Sequence, residues 1–354
     1  MASVKRFSGD RSERHVRMDD VARAAGVSRT TVSLVLSGKA GSSIPESTRE
    51  RVRSVAMELG YVPNALASGL RRKTSDTIGL ISDVVATTPF AGQMLHGAHE
   101  AAWQARKLIV LVNTEGDPEQ ERLGIKQMLE RRVEGILYAT MFHQVIDPPR
   151  GMEGVPVVLL DARTVDSSVP SVVPDDLGGA RTAVQHLIEA GHRRIGMIQE
   201  DHGAPAAVER LMGYRQVLAE AGVVADLSLI ARGSGDASGG LSAAAMLLDR
   251  PDRPTALFCF NDRMAMGAYR AARHLGLVIP NDLAIVGFDN HDVIAPWLDP
   301  PLTTVQLPHL EMGRSSMEHL LALIAGDIPL GTAPLQLRIA CPLVVRESVS
   351  TPSS

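Results

Sequence analysis

The chain has 354 residues, 45% of them apolar, 21% charged and only 3% aromatic. That length exceeds one ordinary core, since domains hold about 100 to 200 residues, so two or three packed units are expected; the balanced composition excludes wholesale disorder. The net charge of −4 is unevenly divided: residues 1–73 hold 14 Lys and Arg against 7 Asp and Glu, and the remainder hold 22 against 33. A basic head on an acidic body points to a polyanion that meets the head alone.

No window approaches the roughly 18 uncharged apolar residues of a membrane span, and the first residues carry no apolar run for an export signal, so a cytoplasmic location is expected. Cys259 and Cys341 have apolar neighbours and read as small core side chains, and no metal-ligand spacing is present.

Residues 1–16 are polar and aperiodic, which predicts a flexible basic extension. Met18, Val21, Ala22 and Ala25 then recur at helical spacing, with Asp19 and Asp20 in the first turn, where carboxylates suit the helix dipole. Gly26 can end that helix in the left-handed conformation, Val27 can fill the corner, and Ser28 can cap a second helix. In the second helix Val32, Val35 and Leu36 are expected inward. Arg29, Thr30, Ser33 and Leu34 are expected outward, and with Ser28 and Thr31 they are the candidate DNA contacts. An Arg that can grip guanine and small hydroxyl side chains are what a major-groove reader needs. A third helix is predicted from Pro45 to Leu59, capped by Ser43 and closed by Gly60, with Val52, Val55, Ala56 and Leu59 as its core stripe. The whole is a helix-turn-helix head over 17–63.

The ordered motifs Asp20-Val21-Ala22, Val32-Ser33 and Glu58-Leu59-Gly60-Tyr61-Val62-Pro63-Asn64-Ala65-Leu66-Ala67 resemble the lactose-repressor/galactose-repressor family of bacterial transcription regulators, and the likeness continues to about residue 347. The resemblance implies a hinge at 64–75 that turns helical when two subunits meet over the minor groove of an operator. Asn64, Ala67 and Leu70 would touch DNA there, Leu70 as an apolar wedge between base steps. Leu34 departs from the family, which commonly has Arg or His at that position. Ser68-Gly69 stands where many relatives have Arg-Ser, and the Gly weakens hinge helicity by about 1 kcal/mol relative to Ala.

Beyond residue 76 unbroken apolar runs at 77–81, 108–112, 135–138, 157–160, 194–198, 256–260 and 283–287 alternate with helical patterns. Such runs are parallel strands covered on both faces, so the body is a doubly wound α/β domain with a ligand crevice at the strand carboxyl ends. The resemblance implies a periplasmic-binding-protein-like body of two lobes, one of 76–174 and 304–333, the other of 175–303 and 334–347. The tail at 348–354 is short and lacks leucine heptads.

Asp161, Asn261-Asp262 and Asp289-Asn290 each follow a predicted strand, and Arg210 lies early in a predicted helix. Each could instead cap the helix that follows, and capping is the preferred reading of Asp262. By the resemblance, Asp161, Arg210, Asn261 and Asp289 correspond to the family's effector-binding acid, arginine, asparagine and acid, a set suited to the vicinal hydroxyls of a sugar or related polyol. Phe90 and Trp297 are the candidates for stacking on a sugar ring, with a core role for either equally open. Gly233 to Gly240 lacks a following Gly-Lys-Ser/Thr and reads as a flexible loop rather than a phosphate cradle. By the resemblance, the family position that sometimes carries a tryptophan falls here in Gly233-Ser234-Gly235.

The sequence thus predicts a dimeric, sequence-specific DNA-binding repressor governed by a sugar-like effector, with no other cofactor. A transporter's solute-binding protein would share the body but not the basic head. An enzyme on this fold would need a Gly-x-Ser-x-Gly elbow, paired acids with a base, or a metal cluster, and none emerges.

Overall fold

Three short helices form where the periodicity places them: α1 (Met18–Ala25), α2 (Arg29–Leu36) and α3 (Glu46–Glu58). Gly26 ends α1 at φ 65°, a conformation open to Gly at little cost, and Asp20 accepts the Arg17 backbone N–H at 2.9 Å. Ser28 caps α2 by accepting the Thr31 N–H at 3.1 Å. Val21, Ala25, Val32, Val35, Val52 and Ala56 close a small core, whereas Leu59, expected in the stripe, is 39% exposed. Arg51 Nε donates to the Ala25 carbonyl at 3.1 Å, satisfying the last turn of α1.

This computed structural model describes residues 16–37, 44–61, 75–85, 88, 92–147, 150–329 and 332–352, in two units divided after Ser75. Ser43, Phe90 and the predicted hinge contacts Asn64, Ala67 and Leu70 lie outside the described residues.

The second unit holds two six-stranded sheets. The first contains β1 (Thr77–Ser82), β2 (Leu108–Asn113), β3 (Ile136–Ile146), β4 (Val157–Thr164), β5 (Ser171–Pro174) and β11 (Gln336–Ile339), in the order β11-β5-β4-β3-β1-β2. The second contains β6 (Ile195–Glu200), β7 (Ile230–Gly233), β8 (Ala256–Cys259), β9 (Ala284–Asp289), β10 (Thr303–Gln306) and β12 (Leu343–Val344), in the order β12-β10-β9-β8-β6-β7. Every pairing is parallel except that of β10 with β12. Helices α4 (Gly92–Gln104), α5 (Pro118–Glu130) and α10 (His309–Ala325) accompany the first sheet. Helices α6 (Asp176–Glu189), α7 (Pro205–Glu220), α8 (Ala237–Leu248) and α9 (Asp262–His274) accompany the second.

The second and third crossings between lobes differ from those implied by the resemblance. The whole of β10, 303–306, stays in the second sheet, because it continues the parallel ladder of β9; the chain crosses only at Leu307-Pro308, where Pro has no N–H for a ladder. Residues 336–339 return to the first sheet as the partner of β5, so the last crossing falls after Ile339 rather than before 334.

Gly233 to Gly240 is not a flexible loop. Gly233 ends β7, Asp236 caps α8 by accepting the Gly239 N–H at 2.8 Å, and Gly239 and Gly240 are buried in the helix. A Cβ on Gly240 would stand 2.2 Å from the Met264 carbonyl, and one on Gly267 would stand 2.3 Å from that of Ala237. The glycines let α8 and α9 touch backbone to backbone, a close-packing role that composition alone disguises as looseness.

Candidate functional site

On the head, Ser28, Arg29 and Thr30 are exposed at the start of α2, and Thr31, Ser33 and Leu34 are half-buried beside them. Arg29 faces Asp19 at 3.8 Å with both side chains in solvent, so the pair is weak and a phosphate or base can replace it. No acidic residue lies in the first turn of α2, which leaves the positive end of its dipole clear for an anion.

In the second unit a cleft of about 600 Å³ opens between the two sheets at their strand carboxyl ends. Phe142 and His143 of β3 and Asp161 of β4 border it from the first lobe. Glu200 of β6, Arg210 of α7, Asn261 and Asp289 border it from the second. The volume suits a compact organic molecule.

Arg210 is the centre of the charge network, and it is 3% exposed. Its Nε and Nη2 donate to Asp176 Oδ1 at 2.9 and 2.8 Å, and its Nη1 donates to the Phe260 carbonyl and lies 3.9 Å from Asp289. The guanidinium carbon sits 3.6 Å from the ring centroid of Phe288 and 4.5 Å from that of Phe260, within cation–π range of both rings. Asp176 also meets His143 Nδ1 at 3.3 Å. Burial opposes the ionisation of Asp176, but Arg210 and His143 outweigh it and hold that carboxyl below its ordinary value.

The other two acids behave oppositely. Burial lifts Asp161 well above the usual carboxylate range, Asp176 adds to the lift, and Arg210 opposes it; its Oδ1 has no partner among the described residues. Burial likewise raises Asp289 to about 7 against the pull of Arg210 and Arg263. Both hold left-handed backbones, at φ 58° for Asp161 and φ 112° for Asp289, a strain that functional sites commonly store.

Asn261, rather than Asp262, is the cap of the helix that follows β8. Asn261 caps α9, accepting the Met264 N–H at 2.8 Å while its amide donates to the Gly235 carbonyl at 3.0 Å, and it still borders the cleft. Asp262 is not the cap: it accepts the Thr304 hydroxyl at 2.6 Å and the His291 N–H at 2.7 Å. Trp297 does not line the cleft. It ends the 3-10 turn Ala295–Trp297, whose Ala295 turns into the core while the indole is left 80% exposed.

Sequence reasoning missed His143, Asp176, Glu200 and the two rings around Arg210. The doubled Asp175-Asp176 after Pro174 was a usable signal, because one helix start needs one cap. Asp175 is that cap, accepting the Gly178 N–H at 3.0 Å, and Asp176 is left for the cleft. Among the described residues, two groups have metal-ligand proximity: His143, Asp176 and Glu209, and Glu200, Asp201 and His202. In the first, Arg210 holds Asp176 and Arg338 holds Glu209 at 2.6 and 2.9 Å; in the second, the His202 ring meets both carboxylates. Among the described residues no helix is long and apolar enough to cross a membrane.

Residues 17–64 match the family described as "Bacterial regulatory proteins, lacI family", and residues 75–347 match "Periplasmic binding proteins and sugar binding domain of LacI family". The chain is 35% identical over 320 residues to the transcriptional repressor CytR of Escherichia coli K12, covering 90% of this chain and 92% of that one. It is 33% identical over 304 residues to the repressor PurR of Photobacterium profundum, covering 85% and 90%. The lac repressor dimer bound to operator and the anti-inducer ONPF superposes with a TM-score of 0.79 at 28% identity, over 95% of this chain and 100% of that one. The CelR–cellobiose complex gives a TM-score of 0.67 at 34% identity, over 94% and 99%. With its helix-turn-helix head and its two-lobed ligand-binding body, the chain belongs to the lacI family of bacterial transcription regulators.

Proposed function

We propose that the cleft takes a sugar or related polyol as effector, and that its occupancy sets the operator affinity of a homodimer, probed through Asp161, Arg210, Asn261 and Asp289. The observation that carries this reading is the buried Asp161 carboxyl with an open Oδ1, facing the Arg210–Asp289 pair across the cleft. Hydroxyl groups complete such an acid without leaving a charge behind. CelR is named with cellobiose bound, which is consistent with a polyol in this fold. The head reads bases through Ser28, Arg29, Thr30, Thr31, Ser33 and Leu34, and the hinge at 64–75 adds Asn64, Ala67 and Leu70 in the minor groove. A second copy pairs along the free edge of β2, where Leu108 and Leu111 are 63% and 38% exposed beside Trp103 at 64%.

The test begins with selection of bound DNA from random sequence by the purified chain, which should return a two-fold symmetric site. Cellobiose, D-ribose and adenosine are then titrated into the complex. A compound that alters operator affinity should lose its effect in Asp161→Asn, whose free-state DNA binding stays normal. An undiminished response in that variant removes the cleft as the effector site.

A further inference from the structure

Strand β6 ends on Glu200, and Gly203, at φ 73°, turns the chain towards the start of α7 at Pro205. Within that turn three consecutive side chains fold onto one point. His202 Nδ1 lies 2.9 Å from Asp201 Oδ1 and meets Glu200 Oε1, and the same Glu200 oxygen accepts the His202 backbone N–H at 2.7 Å. One ring nitrogen and one oxygen of each carboxylate stand within 4.8 Å of one another. Donors bound to one zinc-sized ion at about 2.0 to 2.2 Å are themselves about 3 to 4 Å apart, so these three stand close to the spacing that one ion requires. A contiguous run has no spacing motif in the sequence, and the turn alone brings it together.

Two observations separate this cluster from an ordinary acidic turn. Glu200 is only 7% exposed, and its second oxygen, Oε2, is buried with no hydrogen-bond partner among the described residues. A buried oxygen left in that state is costly, and it belongs to the carboxylate that is turned on His202, so the shortfall lies in the cluster itself. Nor does a fixed cation complete the group, since among the described residues neither Glu200 nor Asp201 pairs with a Lys or Arg. The Nδ1 of His202 carries at most one proton, which two carboxylates must share and which leaves Oε2 unmet. The other cluster with metal-ligand proximity is the contrast, because Arg210 already holds Asp176 there and Arg338 already holds Glu209.

We propose that Glu200, Asp201 and His202 bind a divalent transition-metal ion of the zinc and cobalt class at the rim of the cleft. A ring nitrogen with two carboxylates favours such ions over magnesium and calcium, which take oxygen ligands throughout. The side chains of Asp201 and His202 are 48% and 77% exposed, which opens a path for the ion from solvent, and the buried Glu200 is its anchor. Glu200 and His202 border the cleft, so the ion stands at its edge, with three protein ligands and coordination positions left for water. The site draws on none of Asp161, Arg210, Asn261 and Asp289, so it stands or falls apart from the effector reading.

The experiment uses the full chain, without an affinity tag and freed of metal by dialysis against a chelator. Calorimetric titration with zinc chloride should find one ion per chain, and magnesium chloride at the same concentration should not displace it. His202→Ala and Glu200→Gln should each weaken zinc at least tenfold while the far-ultraviolet circular dichroism stays that of the wild type. Because Glu200 is buried and its variant can fail to fold, the wild-type chain provides a second readout. With 15N-labelled histidine, zinc should shift the Nδ1 resonance of His202, and cobalt chloride should develop a visible absorption band that zinc abolishes. The absence of saturable zinc binding, zinc held equally well by His202→Ala as at an adventitious surface histidine, displacement by magnesium, or an unmoved His202 Nδ1 resonance overturns the proposal.

Discussion

Asp289→Asn tests whether the cleft is a destabilised site kept for binding. Burial lifts the Asp289 carboxyl from 3.8 to about 7, in spite of Arg210 and Arg263. At about 1.4 kcal/mol per unit, roughly three units set a ceiling of about 4 kcal/mol on the cost of ionising it in the folded chain. Asp262, itself raised to about 8 with Asp289 among the causes, shares that titration, so about 2 kcal/mol is the expected observable. The sign follows from proton counting. Unfolded, Asp289 gives up its proton near pH 4; folded, it keeps that proton until about 7, so its contribution to stability declines between those values and is constant above them. Asn does not titrate. The variant should therefore match the wild type near pH 4 and exceed it by about 2 kcal/mol at pH 8 while losing its response to effector. Urea unfolding is best followed by far-ultraviolet circular dichroism, because Trp103 and Trp297 are 64% and 80% exposed and change little in environment. A variant no more stable than the wild type at pH 8, or a gain that does not shrink on acidification, refutes the reasoning.

Two further perturbations address the head and the dimer. Ser28→Ala removes the acceptor of the Thr31 N–H and should cost about 1 kcal/mol, seen as roughly fivefold faster amide exchange at Thr31 and weaker operator binding; unchanged exchange would show that the cap is dispensable. Leu111→Glu places a charge on the edge of β2 and should shift the dimer towards monomer in sedimentation velocity, with operator affinity falling alongside; an intact dimer would place the interface elsewhere.

The head was legible because its signals are local. The apolar spacing of α1 and α2, the left-handed Gly26 and the Ser28 cap all act within a few residues, and the structure forms the helices there. The strand ends were legible too, since an apolar run stops where a polar side chain reaches the cleft, as at Asp161, Asn261 and Asp289. Partners distant in sequence were not. His143 was overlooked because β3 runs on to Ile146, past the apolar stretch that announced it. The worth of Asp176 depends on Arg210, which lies 34 residues away. Trp297 was chosen for its ring alone, and the turn that buries Ala295 turns the indole outward. The glycines of α8 carry no signal of the backbone they meet, since close approach to Met264 belongs to the partner helix.

The same distant contacts bear on how a small molecule can act on the whole body. Helix α7 belongs to the second lobe, yet two of its neighbouring residues lead to the first: Glu209 pairs with Arg338 of β11, and Arg210 holds Asp176, which meets His143 of β3. These contacts join the lobes through α7, and the one between Asp176 and His143 lies at the cleft wall. Effector binding can shift the relative placement of the lobes only by the difference in its affinity for the alternatives. A tenfold change in operator affinity requires about 1.4 kcal/mol, and one net hydrogen bond contributes about 1 kcal/mol, so a molecule that satisfies His143 and Asp161 together with Glu200 in only one arrangement of the lobes suffices. A molecule that reaches polar groups on one lobe alone binds both arrangements equally and changes nothing, however tightly it is held.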